Sequence, residues 1–432
     1  MKPFNPSARN LTSQPHFDMS EVKNIPRLRF SEFEDKWTSC IVDDIFDVND
    51  GTHQTPKYVS EGIPFVSVES IKDLYSTKKF ITEDAFEKEY KIKPKKDDIL
   101  MTRITAGIIG DTAIVMDDNP LAYYVSLALL RKKTDSDVNF HEQRINTSIF
   151  KKELHKRIIH VAFPKKINLG DIKKCSFSFP SLNEQQKIAD FLTSVDKRIE
   201  LLEKKNILLE TYKKGVLKKI FNQEIRFKDD NGNEFPDWEE KRLGEVGEFK
   251  TSSVDKKLDD DEQEIFLVNY MNVYRHEKIT NENKYDLMVV TAKPNQIDSN
   301  NLIKGDILFT PSSETPDDIG HSVVIFEDLD NTLYSYHLLR FRPMIKIDIL
   351  YSHYFCNNDL VLNQICRFAT GSTRFTISKD SFSKILISLP CFEEQSKIAK
   401  FLDSIDKQLE LLETQIDKSK TWKKGLLQKM FV

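Results

Sequence analysis

The 432-residue chain contains one segment twice. Residues 180–221 (PSLNEQQKIADFLTSVDKRIELLEKKNILLETYKKGVLKKIF) align without a gap to residues 390–431 (PCFEEQSKIAKFLDSIDKQLELLETQIDKSKTWKKGLLQKMF) at a constant offset of 210, and 22 of the 42 positions are identical. Identity that dense marks a duplication, so the chain has to be read module by module. Weaker matches lie upstream. Ile167 and Asp171 stand opposite Ile377 and Ser381, DDILMTR (97–103) faces GDILFTP (305–311), and Arg29, Phe30 and Trp37 face Arg226, Phe227 and Trp238. The chain therefore reads as a module of about 200 residues written twice. In each copy a variable globular part precedes a well-matched helical part.

Each matched segment opens on Pro and Glu-Gln and continues in uninterrupted helix formers. The apolar residues Ile188, Leu192, Val195, Ile199 and Leu202 step by four and three, and the series resumes at Leu209 and Val216. Ile398, Leu402, Ile405, Leu409 and Leu412 repeat it. That spacing is a coiled-coil seam. About 37 residues at 1.5 Å each make a rod of roughly 55 Å that needs a partner helix. Packing of each helix on its own globular part is the common alternative. The length and near-identity of the seams favour pairing the two helices with each other, antiparallel, about a pseudo-twofold axis. Asn206 takes a seam position where the second copy has Ile416, a place for a register-fixing polar group or a solvated one. Lys213, Lys214, Lys218, Lys219, Lys423, Lys424 and Lys429 read first as a solvated face and second as phosphate contacts.

The globular parts hold short β-branched and aromatic runs separated by Gly, Pro, Asp and Asn: IPFVSVESI, DDILMTR, GDTAIVM and AYYVSLALLRKK, then EIFLVNYMNVY, GDILFTP, HSVVIFED and LYSYHLLRFRP. They read as strands of a small, mostly antiparallel sheet. FHEQRINTSIFKKELHKRI and ILYSHYFCNNDLVLNQICRFA carry helical periodicity, which makes the modules α+β.

Composition excludes more than it assigns. Lys+Arg 64 against Asp+Glu 68 leaves a net charge of −4, without the basic excess of a simple nucleic-acid binder. The longest nearly apolar run, residues 122–130, falls far short of the roughly 20 residues of a spanning helix. The N-terminal residues MKPFNPSARN have no apolar signal core, and the five cysteines form no CxxC pair. A reduced, cytoplasmic protein without structural zinc is expected.

The residues also offer little catalytic chemistry. There is no GxG, no Gly-Lys dipeptide, no GxSxG and no HxH or HxxxH, so dinucleotide, Walker A, nucleophile-elbow and zinc motifs are lacking. FPDWEEK reads as an exposed turn rather than a metal nuclease, and DNPL (118–121) as a turn rather than a base-flipping methyltransferase tetrapeptide.

What remains is binding. In FATGSTRFTIS, Gly371, Ser372, Thr373 and Arg374 form a loop whose NH groups and hydroxyls suit phosphate while Arg374 suits a guanine edge or a second phosphate. Lys165 and Lys166 occupy the matching place in the first copy. After the shared DIL strand come Thr102, Arg103 and Thr105 in one copy and Ser312, Ser313 and Thr315 in the other. Arg275 and His276 complete the candidate DNA-binding set. Each motif alone is weak, because most Gly/Ser/Thr turns are only turns.

Taken together, the doubled block Glu184-Gln185-x-Lys187-Ile188-Ala189-x-Phe191-Leu192 and Glu394-Gln395-x-Lys397-Ile398-Ala399-x-Phe401-Leu402, each behind a variable α+β part, resembles the specificity subunit of type I restriction-modification enzymes. IPFVSVESI, GDILFT and TGSTRFTI resemble that family's target recognition domains. The resemblance covers nearly the whole chain. It implies a polar extension (1–24), a first target recognition domain (25–180), a central coiled-coil helix (181–222), a second target recognition domain (223–390) and a C-terminal coiled-coil helix (391–432). The fold it implies is α+β, two α/β recognition domains joined by two long antiparallel helices. It further implies a non-catalytic reader of double-stranded DNA for a restriction system, each domain taking one half of a bipartite target while the helices set the spacer. Two methyltransferase subunits and two restriction subunits would be its partners, supplying S-adenosylmethionine, ATP and Mg chemistry, with no cofactor on this chain. Two other readings compete. A methyltransferase with unrecognised motifs would bind S-adenosylmethionine itself, and a coiled-coil adaptor would show no sequence preference.

Overall fold

The computed structural model describes residues 25–159 and 163–432; the extension 1–24 lies outside the described residues. The chain divides into two units, the first comprising residues 1–202 and 415–432 and the second residues 203–414. Both boundaries fall inside long helices, Leu182–Phe221 of 40 residues and Phe392–Met430 of 39. At 1.5 Å per residue each helix is about 60 Å long, slightly more than the seam alone indicated. Each unit thus holds part of both helices.

In the first unit a four-stranded antiparallel sheet runs in the order Phe46–Asp50, Leu127–Lys132, Ile99–Thr102, Thr112–Ile114. Alternation along its strands sends side chains to two cores. Ile99, Met101, Ala128 and Leu130 face the helices Val138–Ile145 and Ser148–His155, meeting Phe150 and Leu154, while Leu100, Leu127 and Leu129 face Phe65, Leu74 and Tyr123. On that second side Ile63–Val66 pairs antiparallel with Phe80–Ile81 and parallel with Ala122–Tyr123.

The second unit repeats the plan. Gly247–Thr251, Leu339–Pro343, Ile307–Phe309 and Ser322–Val324 form its four-stranded sheet. Ile307, Phe309, Leu339 and Phe341 face one core and Leu308 the other. A further sheet, ordered Met288–Ala292, Gln263–Val268, Leu329–Tyr334, Asn301–Leu302, includes the parallel pair of Gln263–Val268 with Leu329–Tyr334. Two expected strands are broken. NYMNVY folds as the helix Tyr270–Tyr274, because Asn269 caps it through the Met271 amide (3.1 Å). LYSYHLLRFRP is divided between Leu329–Tyr334 and Leu339–Pro343.

Within each unit the two helices run antiparallel. In the first, Ile188, Leu192, Val195 and Ile199 share a core with Leu426, Met430 and Phe431, and Asp196 pairs with Lys423 at 2.5 Å. In the second, Asp406 pairs with Lys213, the same contact 210 residues on, and Ile398 and Leu402 share a core with Val216 and Ile220. Ile405 and Leu412 are buried, and Leu202 and Leu409 are half-buried. Full burial of one such seam leucine contributes about 1.5–3 kcal/mol. Asn206 is half-buried and donates along its own helix to Glu210 (3.1 Å).

The Glu-Gln pair of the repeat anchors each helix to its globular part. Arg29 forks onto Glu184 with two bonds of 2.7 Å, and the Trp37 indole donates to the same carboxylate at 3.3 Å. Arg226 and Trp238 treat Glu394 identically, at 2.8, 2.8 and 3.0 Å. Bidentate pairing holds both guanidinium pKa values above their ordinary level. Gln185 donates to the Pro180 carbonyl and accepts from the Asp137 amide; Gln395 does the same with Pro390 and Asp348. Phe30 packs edge-on against Phe191, and Phe227 against Phe401.

Candidate nucleic-acid interface

Each unit extends the strand carrying the DIL sequence into a small two-stranded ribbon. In the first unit Ile104–Thr105 pairs with Lys165–Lys166, Thr105 opposite Lys165. In the second Ser312–Ser313 pairs with Phe375–Thr376, Ser313 opposite Phe375. Residues 60 to 64 apart in sequence thus meet at the same place in both copies, and most of the expected contact residues gather there.

The two ribbons carry different chemistry. Lys165 and Lys166 are both exposed, beside Thr105, whose hydroxyl accepts from the Gly107 amide at 2.9 Å. On the second ribbon the exposed Arg374 donates to the Ser312 hydroxyl at 3.3 Å. Its loop is closed by reciprocal 2.9 Å bonds between Thr370 and Thr376. Gly371 lies inside that loop at φ +151°, where an added Cβ would come within 2.0 Å of the Arg374 carbonyl oxygen. Only glycine fits there. Ser372, Thr373 and Thr315 are exposed, Ser313 is buried, and a hollow of about 300 Å³ is lined by Tyr270, Ser313, Glu314, Asp318, Thr373 and Arg374.

Besides the buried Ser313, two expected contact residues face the protein instead. Thr102 is buried, donating to the Ile108 carbonyl at 2.7 Å and accepting from the Asp111 amide at 3.0 Å. Arg103 is 7% exposed, and its guanidinium is shared among the Val125 carbonyl (2.9 Å), the Ile167 carbonyl (3.1 Å) and Asp50 (3.3 Å). Burial lowers its pKa, with Asp50 opposing. The correction has a plain cause: a short strand that ends inside two cores keeps its first polar residues inside, and the surface begins at Thr105. Arg275 and His276 also leave the ribbon. Arg275 is exposed near Glu277 (3.8 Å), while His276 turns toward His321.

Four participants were not singled out from sequence. Tyr270 holds the Ser312 carbonyl through its hydroxyl at 2.9 Å and stacks with Tyr274. Asp318 joins Tyr274 and His321, at 3.1 and 2.8 Å. The aromatic pair YxxxY was the available signal, but it sat in a run that reads equally well as a strand.

Two small α/β modules, each ending in a polar ribbon and held against an antiparallel helix pair, make up a duplicated architecture. The family model for the type I restriction modification DNA specificity domain matches residues 34–211 and again 236–419. The chain belongs to that family, as a specificity subunit of type I restriction-modification systems. It is 26% identical over 436 residues to the MjaX type I restriction enzyme specificity subunit of Methanocaldococcus jannaschii, covering 92% of this chain and 94% of that relative. The MjaVIII specificity subunit of the same organism is 27% identical over 263 residues, 56% of this chain and 58% of that relative. Among solved structures, the S subunit of a type I restriction-modification system from M. genitalium superposes with a TM-score of 0.55 at 17% identity, covering 94% of this chain and 99% of that one. A chain from a study of complex assembly and conformational transition of the type I R-M system gives 0.58 at 15% identity, covering 91% and 97%. Among the described residues no helix is long and apolar enough to cross a membrane.

Proposed function

We propose that each unit of this chain reads one half of a bipartite double-stranded DNA target, with the long helices setting the unspecified spacer. The observation that carries this reading is the repeated ribbon, built at one topological position from different side chains: Thr105, Lys165 and Lys166 in one unit, Ser312 and the Gly371–Arg374 loop in the other. One position with two chemistries suits two different half-sites. Lysines there neutralise phosphates, and an arginine braced by a serine hydroxyl is a fork for a guanine edge.

In the same reading the chain is non-catalytic and holds no cofactor. Two methyltransferase subunits use S-adenosylmethionine to methylate adenine, and two restriction subunits use ATP and Mg, in the cytoplasm. Repeat-related exposed apolar residues support docking of two identical partners. Leu201 and Trp422 are 54% and 52% exposed in the first unit, and their equivalents Leu411 and Tyr212 are 57% and 52% exposed in the second. Methylome sequencing of a host expressing this chain with its methyltransferase subunit tests the reading. A split, non-palindromic adenine motif that vanishes with the chain is expected; a motif independent of the chain refutes it.

A further inference from the structure

A hydrogen-bonded chain of four side chains lies behind the ribbon of the second unit. His276 Nδ1 is 3.0 Å from the Ser322 carbonyl oxygen, and its Nε2 is 3.1 Å from His321 Nδ1. His321 Nε2 is 2.8 Å from Asp318 Oδ1, and Tyr274 donates to Asp318 Oδ2 at 3.1 Å. The two ends fix the protons. A carbonyl oxygen and a carboxylate only accept, so His276 Nδ1 and His321 Nε2 both carry hydrogen. The inner nitrogens at 3.1 Å need one more hydrogen between them. Three protons on four nitrogens are one more than two neutral imidazoles hold.

The backbone directs His276 into this contact. It sits at φ +54° just past the helix Tyr270–Tyr274, with its amide on the Val273 carbonyl (3.0 Å) and the next amide, of Glu277, on that of Asn272 (2.9 Å). That is a Schellman turn with histidine at the left-handed position glycine usually takes. Asp318 connects the chain to the candidate contact surface, since it lines the same hollow as Thr373 and Arg374.

We propose that His276 and His321 share one bound proton that neutralises Asp318 beside Arg374, so that DNA binding by this unit is coupled to proton uptake. The hollow sets Arg374 against two carboxylates, Asp318 and Glu314, so without that proton it is net negative where it would meet phosphate, and with it the excess negative charge is cancelled. Burial lowers the His276 pKa, and the imidazole that meets the carboxylate is His321, 2.8 Å from Asp318 Oδ1. Other charged groups of both signs surround His276. Arg275, Glu277 and Lys278 flank it in the chain, and His353 faces it from the helix Ile349–Phe355. Lys304, Lys213 and Asp406 share the adjoining groove of about 1060 Å³. None of them bonds to either imidazole.

The inference rests on the DNA-reading role, and two measurements separate their fates. The first is affinity of the assembled complex for its methylome-defined target at constant salt from pH 8 to pH 6. The wild type is expected to tighten severalfold, by no more than roughly tenfold per pH unit for one proton. His321→Asn should remove that slope and bind at pH 6 as the wild type does at pH 8. Asp318→Asn should bind at pH 8 as the wild type does at pH 6. A slope retained in His321→Asn, or weak binding by Asp318→Asn at pH 8, overturns the proposal. The second is nitrogen-15 NMR of the histidine-labelled full chain at pH 6, assigned with His276→Asn and His321→Asn. Three ring N–H groups across the pair support the shared proton and two refute it, whether or not the complex discriminates DNA sequences.

Discussion

His141 lies among Phe46, Phe140 and Phe177, with ring centroids 5.0, 5.7 and 5.5 Å away, and neither of its ring nitrogens has a hydrogen-bond partner. Burial pushes its pKa down to about 3, because the imidazolium would be stranded in an apolar site. The folded chain therefore holds His141 neutral while the unfolded chain protonates it below about 6.5. Stability from this group is fully present above that value and is lost as pH falls toward 3, by at most about 1.4 kcal/mol per pH unit. His141→Phe is expected to flatten the denaturation midpoint between pH 6.5 and 4 without lowering it at pH 7.5; an unchanged acid slope would place the sensitivity elsewhere. Arg374 is the opposite kind of residue, exposed and hydrogen-bonded to Ser312 (3.3 Å). If it contacts a base, Arg374→Ala should cost roughly 1–3 kcal/mol at one half-site and nothing at the other. An unaltered methylation motif and affinity would remove it from the interface. Sequence alone did not separate Arg374 from Arg103, because residue type and a nearby turn are shared and burial depends on where a strand leaves the core.

At the scale of elements, the ribbon loop and the helix seam fail differently. Gly371→Ala forces a side chain against the Arg374 carbonyl and should disturb only the second ribbon. The expected result is loss of one half-site in the methylome with an unchanged melting temperature. Leu412 is 5% exposed in the seam, and Leu412→Asp buries a charge there at a cost of several kcal/mol. Circular dichroism should show loss of helix, and both half-sites should be lost together; selective loss of one would contradict a shared rod. The seam was legible in sequence because its period of three and four is carried by the chain itself, and the helices Leu182–Phe221 and Phe392–Met430 lie within a residue or two of the expected limits. The β-sheet strands were legible as short apolar runs between turn residues; DDILMTR and GDILFTP are apolar at successive positions because they lie between two cores. The role of Glu184 and Glu394 was not. Their partners Arg29 and Arg226 lie 155 and 168 residues away, a separation that only the folded chain closes. The repeat had nonetheless paired Arg29 with Arg226 and Trp37 with Trp238, so the sequence marked these positions as equivalent without giving their contacts.

For the whole molecule, duplication makes stoichiometry testable. Each unit presents one copy of the exposed apolar pair, Leu201 with Trp422 or Leu411 with Tyr212, and these four side chains contribute little to the seam that Ile188, Leu192, Ile398 and Leu402 fill. Large apolar groups left half-exposed on a heavily charged helix are a reason to look for a partner. Because the pairs are repeat-related, one kind of partner fits both. Leu411→Glu should therefore remove one methyltransferase subunit from the assembly, Leu201→Glu the other, and the double variant both, each by introducing a charge into an apolar contact. Native mass spectrometry of the reconstituted complex reads the outcome as two, one or no bound subunits. Melting temperatures of the free chain should stay within about a degree or two of the wild type, since surface substitutions usually change stability by less than about 0.5 kcal/mol. Loss of both subunits from a single variant would show that the two sites depend on each other, and retention of both in the double variant would move the docking surface off the helices.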